Sequence, residues 1–251
     1  MILSAGTVQS PKLLMLSGIG PRNHLKDMGI HVISDLPVGS NLQDHLFTYL
    51  GPFFVDPPRS NLLDRDLTFQ RIYDYKIDGS GPLSSSLFQA AGMISSKSAK
   101  SAGNWNWPDI MLLCSSMGAH QSFPRDISHA FNLSPEIMSK YYAHAVGKDS
   151  FFIAVAAARP FARGSVSLEK RDPYAAPSID PRYLEDDHDL HVMMEGIKTA
   201  LHMVENTTAF QDLRARFTHK KFPGCEHMAF RSDEYWECYG KHLLLNLLLA
   251  S

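Results

Sequence analysis

Apolar and polar positions fall into distinct periods along the chain. Over Asp187–Glu205 the apolar residues Leu190, Met193, Met194, Ile197, Leu201 and Val204 recur at three- and four-residue steps, which predicts an amphipathic helix. Phe151–Ala158 is apolar throughout and predicts a buried strand, as does Asp109–Cys114. Gly164–Glu169 alternates, the pattern of a half-buried strand. Leu63, Leu67, Ile72 and Tyr75 give Leu62–Ile77 a helical spacing that Gly79-Ser-Gly-Pro82 stops. Ser134 followed by Pro135 starts a helix over Ser134–Val146. Ser232, with Asp233 and Glu234 in the first turn, starts another over Ser232–His242. Proline and aromatic residues make Gly51–Ser60 an expected loop, small and polar residues make Lys97–Asn106 an expected mobile loop, and prolines make Arg171–Arg182 a connection.

The opening reads as α/β. Met1–Ser4 resembles the end of an apolar strand, and Ala5-Gly6-Thr7 turns the chain. Ser10 and Pro11 suit the N-cap and first position of a helix over Lys12–Leu16, ended by Ser17-Gly18-Ile19-Gly20-Pro21. Asn23–Met28 forms a helical turn stopped by Gly29, and His31–Ser34 a short strand. Residues after about 45 mix strands and helices too irregularly for repeated βαβ units. The fold class the pattern leads to is α+β, after an α/β piece at the start.

Composition narrows the function. With 24 Lys+Arg against 26 Asp+Glu, the net charge of -2 gives no overall positive field for nucleic acid or anionic membrane. No run reaches the ~20 apolar residues of a membrane-spanning helix. The N-terminus lacks the basic region of a secretory signal, so the chain as it stands reads as cytosolic. Cys114, Cys225 and Cys238 are too few for a disulfide framework and fit no zinc spacing. Cys225 and Cys238 flank a turn and a helix, compatible with pairing in an oxidising compartment, but buried free thiols are the expected state. The sequons at Asn132-Leu-Ser134 and Asn206-Thr-Thr208 would serve only in a secreted protein. Asp186-Asp187-His188-Asp189-Leu190-His191 offers metal-ligand types, yet acids opening a helix are explained by capping, so no metal site is expected. His219-Lys-Lys221 reads as solvated surface, Met193, Met194 and Met203 as core, and Leu243–Leu249 as a divergent tail able to attach to a partner or aggregate.

Ser4-Ala5-Gly6, ending a strand before a helix N-terminus, is where an α/β sheet receives a ligand. Gly6 allows close backbone approach, and the helix start near Ser10 presents N–H groups. A structural turn would use the same residues.

Gly6-Thr-Val-Gln-Ser10-Pro11-Lys-Leu13-Leu14-Met-Leu-Ser17-Gly18-Ile19-Gly20 resembles, position for position, the second signature of the glucose-methanol-choline (GMC) oxidoreductases. The resemblance continues through Asp35-Leu-Pro-Val-Gly39, Asn41-Leu-Gln-Asp-His45, Gly81-Pro82, Arg159-Pro160, Arg163-Gly164, Asp172-Pro173 and Ser232-Asp-Glu-Tyr-Trp236. Its style is similar to the arthropod glucose-dehydrogenase-like branch, whose full-length members include secreted proteins. The resemblance implies a flavoprotein that uses FAD and acts on the CH–OH group of an alcohol or sugar. It also implies a partial α+β fold: residues 1–50 as a remnant of the α/β FAD-binding domain, 51–231 chiefly the substrate-binding domain, an antiparallel sheet with helices, and 232–251 the start of a return to the first. The cofactor-binding residues it implies are Ser4, Ala5, Gly6, Ser10, Asn41, Asp44 and His45, with a structural role at least as fitting for the last two.

The dinucleotide fingerprint Gly-x-Gly-x-x-Gly does not occur in this sequence. Gly18-Ile-Gly20 follows a helix, and position 23 is Asn. The family's His-Pro-Val-Gly-Thr stretch, with its general base, does not occur either, and the chain leaves the family pattern after His242. No catalytic residue is therefore assigned. The alternative expectation is a catalytically inactive fragment or a decoy that binds a ligand or partner.

Overall fold

The apolar runs and capped helices become an alternation of short helices and antiparallel strands. The computed structural model describes residues 2–246. In chain order the elements are α1 (Gly6–Leu16), β1 (Ile19–Gly20), α2 (Arg22–Asp27), β2 (Ser34–Asp35), β3 (Leu46–Phe54), α3 (Leu63–Asp66), α4 (Phe69–Asp78), β4 (Ala90–Ile94), α5 (Lys97–Ser101) and β5 (Ile110–Ser115). They continue with α6 (Phe123–Phe131), α7 (Pro135–Tyr142), β6 (Ser150–Ala157), β7 (Ser165–Ser167), β8 (Ser178–Asp180), α8 (Asp187–Asn206), α9 (Thr208–Asp212), β9 (Arg216–Phe217), α10 (Asp233–His242) and β10 (Leu244–Asn246). The chain divides into two compact units, residues 1–44 with 160–189, and residues 45–159 with 190–251.

In the first unit β1 and β2 pair in parallel, while β7 and β8 form an antiparallel ribbon. Its core is Met15, Leu25, Ile30 and Leu168, joined by Leu16, Met28, Val32 and Val38. Segments distant in sequence are tied by backbone bonds: Leu42 and Gly164 exchange both N–H groups, and Val166 N–H donates to Gly39.

The second unit is built on an antiparallel sheet ordered β10-β3-β6-β5-β4, with β9 also on β3. β6 is buried at every position, as its unbroken apolar run requires. α8 lies against it closely enough that a Cβ on Gly196 would meet Val155 Cγ1 at 2.5 Å and Ile110 Cγ2 at 3.0 Å. Tyr235, Trp236 and Tyr239 of α10 are buried, and the Tyr239 hydroxyl donates to Tyr49 O at 3.0 Å. Among the described residues no helix is long and apolar enough to cross a membrane.

The expected α+β class is what the structure has. Several local expectations are corrected. Residues 2–4 belong to no strand, because among the described residues no neighbour takes up their backbone bonds. The first helix starts at Gly6, whose φ of +86° makes the turn, so Ser10 and Pro11 lie inside it. Ser10 still satisfies a terminal donor, its hydroxyl accepting Ala5 N–H at 3.0 Å. The loop expected from Gly51 begins later: β3 runs to Phe54 because Pro52 falls at a register shift between Leu50 and Phe53, where a strand tolerates proline. Lys97–Ser101 is helical where a mobile loop was expected. Ser96 caps it by accepting Ala99 N–H, and Asp109 holds Ser96 through its N–H at 2.7 Å and hydroxyl at 2.6 Å. The helix expected over Leu62–Ile77 is broken at Leu67 and Thr68, and Thr68 caps the second piece. Finally, Cys225 and Cys238 are joined in a disulfide rather than left as free thiols, while Cys114 is free. α10 supplies one sulfur and the turn before it the other, a pairing that sequence spacing alone leaves undetermined. Residues 247–249 of the divergent tail lie outside the described residues.

Candidate functional site

At the N-terminus of α1 several residues expected to touch a cofactor come together. Like any α-helix, α1 leaves its first N–H groups without partners inside the helix, and no acid stands in its first turn. The positive end of the helix dipole is therefore not neutralised by its own residues. Gly6 has open space on its side-chain face, with nothing within 4 Å of a built Cβ. Ala5 is the N-cap, fixed by its bond to Ser10, and Ser4 is exposed beside it.

Beside this helix end is a cavity of about 190 Å³ lined by Thr7 and Pro11 of α1, by Pro37, Gly39, Asn41 and Leu42, and by Val166 of β7. Small-molecule pockets usually begin near ~300 Å³, so the cavity suits one edge of a larger ligand. The structure thus brings Asn41 to the helix that carries Gly6. Asp44 and His45 go elsewhere. Asp44 accepts a short hydrogen bond from the Tyr183 hydroxyl. The His45 ring contacts Ala158 O through Nε2 at 3.0 Å. Asp44 ends the stretch 1–44 of the first unit, and His45 opens the second. Both side chains are engaged in holding backbone and loop.

Thr7, Pro11, Gly39, Leu42 and Val166 were not assigned to the cofactor site from sequence. Only Gly39 carries a usable signal. Its φ is +80°, and a Cβ there would lie 2.0 Å from Val166 O, so only glycine lets residues 37–42 close on β7. Gly39→Ala is expected to lower the stability of the first unit by ~2 kcal/mol, through left-handed strain and displacement of the bond from Val166 N–H to Gly39 O. Hydrogen exchange at Val166 and Leu42 checks this: protection unchanged from wild type would exclude the close approach.

The acids at the start of α8 have structural partners. Asp189 accepts Phe161 N–H at 2.6 Å and Ala162 N–H at 2.9 Å, Asp186 accepts His188 N–H at 2.8 Å, and the His188 ring packs on Phe161. Cys225, Cys238 and His242 place two sulfurs and a ring nitrogen within 4.8 Å of one another. Both sulfurs are consumed by the disulfide, and His242 Nδ1 faces Cys238 O at 2.9 Å.

The family model described as GMC oxidoreductase matches this chain twice, over residues 1–47 in its N-terminal part and 160–247 in its C-terminal part. The second match runs past His242, so the departure expected directly after that residue is not found there. Glucose dehydrogenase [FAD, quinone] of Drosophila pseudoobscura pseudoobscura is 30% identical over 250 residues, covering 95% of this chain and 35% of the relative. Ecdysone oxidase of Spodoptera littoralis is 32% identical over 216 residues, covering 86% and 35%. A solved structure of Aspergillus oryzae RIB40 formate oxidase superposes with a TM-score of 0.72 at 24% identity, covering 98% of this chain and 42% of that one. The chain spans about a third of the length of the curated relatives it matches.

Proposed function

The chain belongs to the GMC oxidoreductase family, and on that premise we propose that it forms part of an FAD-dependent oxidoreductase acting on the CH–OH group of an alcohol or sugar. The observation that carries the proposal is the coincidence of the matched signature with the open N-terminus of α1, where unpartnered N–H groups, a glycine with free space and Asn41 meet. These residues fit an electron-rich edge of the cofactor, its phosphate or ribityl oxygens. FAD, when bound, supplies the acceptor for a hydride. Gly6 would admit the cofactor to the backbone, and the N–H groups of the first turn would donate to its oxygens. Ser10 holds Ala5 in place, and Ser4 and Asn41 add exposed polar groups beside the helix end. Asp44 and His45 are positioning residues, anchored on Tyr183 and Ala158. The antiparallel sheet of the second unit is the substrate-binding part. No residue is assigned as general base.

A second reading is a catalytically inactive chain that binds a ligand or partner. The visible absorption spectrum of the purified chain, with a dye-linked alcohol oxidation assay, separates the two. Bound flavin with dye reduction is the result expected of the enzyme. A colourless chain without activity would exclude it for this chain and leave the second reading.

A further inference from the structure

The second unit carries a dish of about 320 Å³ that the cofactor reading does not use. Its apolar part is Phe54, at the end of β3, and Phe217 of β9. Thr218 and His144 form its polar wall, and Lys148, Arg216, His219 and Lys220 stand around it. No lining residue is acidic, in a chain where acids outnumber Lys and Arg by 26 to 24. Among the described residues no carboxylate pairs with Lys148, His219 or Lys220. Arg216 donates through Nη1 to Arg214 O at 3.3 Å and has a 3.9 Å contact to Asp56, which lies closer, at 3.3 Å, to Arg214 Nη1.

The wall is built rather than random surface. His144 Nδ1 faces Tyr141 O at 2.8 Å, so it carries the proton, and Nε2 accepts from the Thr218 hydroxyl at 2.7 Å. The Thr218 oxygen also accepts Lys220 N–H at 3.1 Å, and the Lys220 ammonium is held by Lys140 O at 2.6 Å. The Lys148 ammonium lies over the Phe54 ring at 5.7 Å, and the same ring meets His144 edge to face. Three permanent cations and a half-buried aromatic ring therefore line one dish, and among the described residues the carboxylate paired with any of the three is Asp56, 3.9 Å from Arg216.

We propose that this dish binds a phosphate or sulfate ester, its oxygens taken by Lys148, Arg216 and Lys220 and its organic body resting on Phe54. The dish shares no lining residue with the cavity beside α1, and the proposal does not depend on that cavity. His144 is a natural reporter. Burial first, then the charges of Lys220 and Lys148, hold its pKa below the ordinary imidazole value, and an anion between those lysines reverses the second effect. The charged and titratable groups around the ring are Lys148, Lys220, Arg216 and His219, with the buried Tyr141 phenol packed against it, whose pKa burial raises well above the ordinary value.

The test is a histidine NMR titration of the full chain with inorganic phosphate, inorganic sulfate and phenyl phosphate, against chloride at matched ionic strength. Saturable binding with a rise in the His144 pKa is expected for all three oxyanions. Phenyl phosphate should bind more tightly than inorganic phosphate, and the ratio of phosphate to sulfate affinity identifies the preferred ester. Lys148→Gln alters an exposed side chain and should weaken binding about tenfold, the loss of one charge-assisted contact, without changing the rest of the spectrum. An equal response to chloride, or a Lys148→Gln titration identical to wild type, would overturn the proposal.

Discussion

Asp149→Ala is expected to destabilise the second unit by about 3 kcal/mol, the sum of several bonds to one buried carboxylate. Asp149 Oδ1 accepts Arg59 N–H at 3.0 Å, Ser60 N–H at 2.9 Å and the Ser60 hydroxyl at 3.0 Å, while Oδ2 accepts Arg65 Nη1 at 2.7 Å. Its carbonyl takes Val55 N–H, and the Ser60 hydroxyl oxygen takes Ser150 N–H. One residue thus fastens loop 55–66 to the start of β6. Ser60 is buried, so truncation strands its two donors away from water. Arg65 is not stranded, because it keeps Asp66 at 2.7 Å. At roughly 2–4 °C per kcal/mol for a chain of this size, Tm should fall by about 6–12 °C. Asp149→Asn preserves an acceptor toward Ser60 but turns an amide toward Arg65, and should lose about half as much. A fall below ~2 °C in thermal denaturation of the alanine variant would show that the network contributes nothing beyond solvation.

The same residue sets an acid limit. Burial alone would raise its pKa, but the bonds from Ser60 N–H, Arg65, the Ser60 hydroxyl and Arg59 N–H outweigh burial and hold it below the usual aspartate value. A carboxyl whose folded pKa lies below its unfolded pKa stabilises the fold fully above the unfolded value, ~3.9. That contribution is lost as pH falls through the folded value. Wild type should therefore lose stability below about pH 4 more steeply than Asp149→Asn, with the two curves parallel at neutral pH. Urea unfolding at several pH values reads this directly; identical slopes below pH 4 would remove Asp149 from the acid transition.

What was legible in the sequence was what local physics decides. α8 follows from the spacing of Leu190 to Val204, β6 from an unbroken apolar run, and α7 and α10 from Ser134 and Ser232, both of which accept the N–H three residues on. The fifteen-residue signature was legible because it is contiguous. Features decided by distant partners were not. The start of α1 depends on one positive φ at Gly6, which a Ser-Pro pair four residues later obscured. β3 passes through Gly51-Pro52 because β6 and β9 supply its partners on either side of the shift. The cavity beside α1 needs Val166, and the cationic dish needs residues from 54, 144–148 and 216–220. His219-Lys-Lys221 looked like solvated surface because its neighbours in space are far along the chain.

The disulfide carries the other large effect. Cys225 lies in the turn after β9 and Cys238 in α10, 13 residues apart, and both are buried. Closing a loop of this length removes unfolded-chain entropy worth about 3 kcal/mol. The bond also sits at the face of α10 that carries Tyr235, Trp236 and Tyr239 into the core, where the Tyr239 hydroxyl reaches Tyr49 O. Reduction should release the 222–229 turn from α10 and loosen the contact of Phe222 with Tyr239, whose ring centroids are 5.4 Å apart. Cys225→Ser/Cys238→Ser is therefore expected to lose about 3 kcal/mol, and wild type in a phosphine reductant should match it. The double variant should then be indifferent to the reductant, whereas Cys114→Ser, which leaves the bond intact, should retain the full wild-type response. Intact mass before and after reduction establishes the starting state, since each closed disulfide lacks two hydrogens. A bond like this persists in oxidising compartments, so its presence in protein isolated from its source would argue against the cytosolic reading of the N-terminus. A double variant as stable as wild type under non-reducing conditions would show that the turn and α10 are held by packing alone.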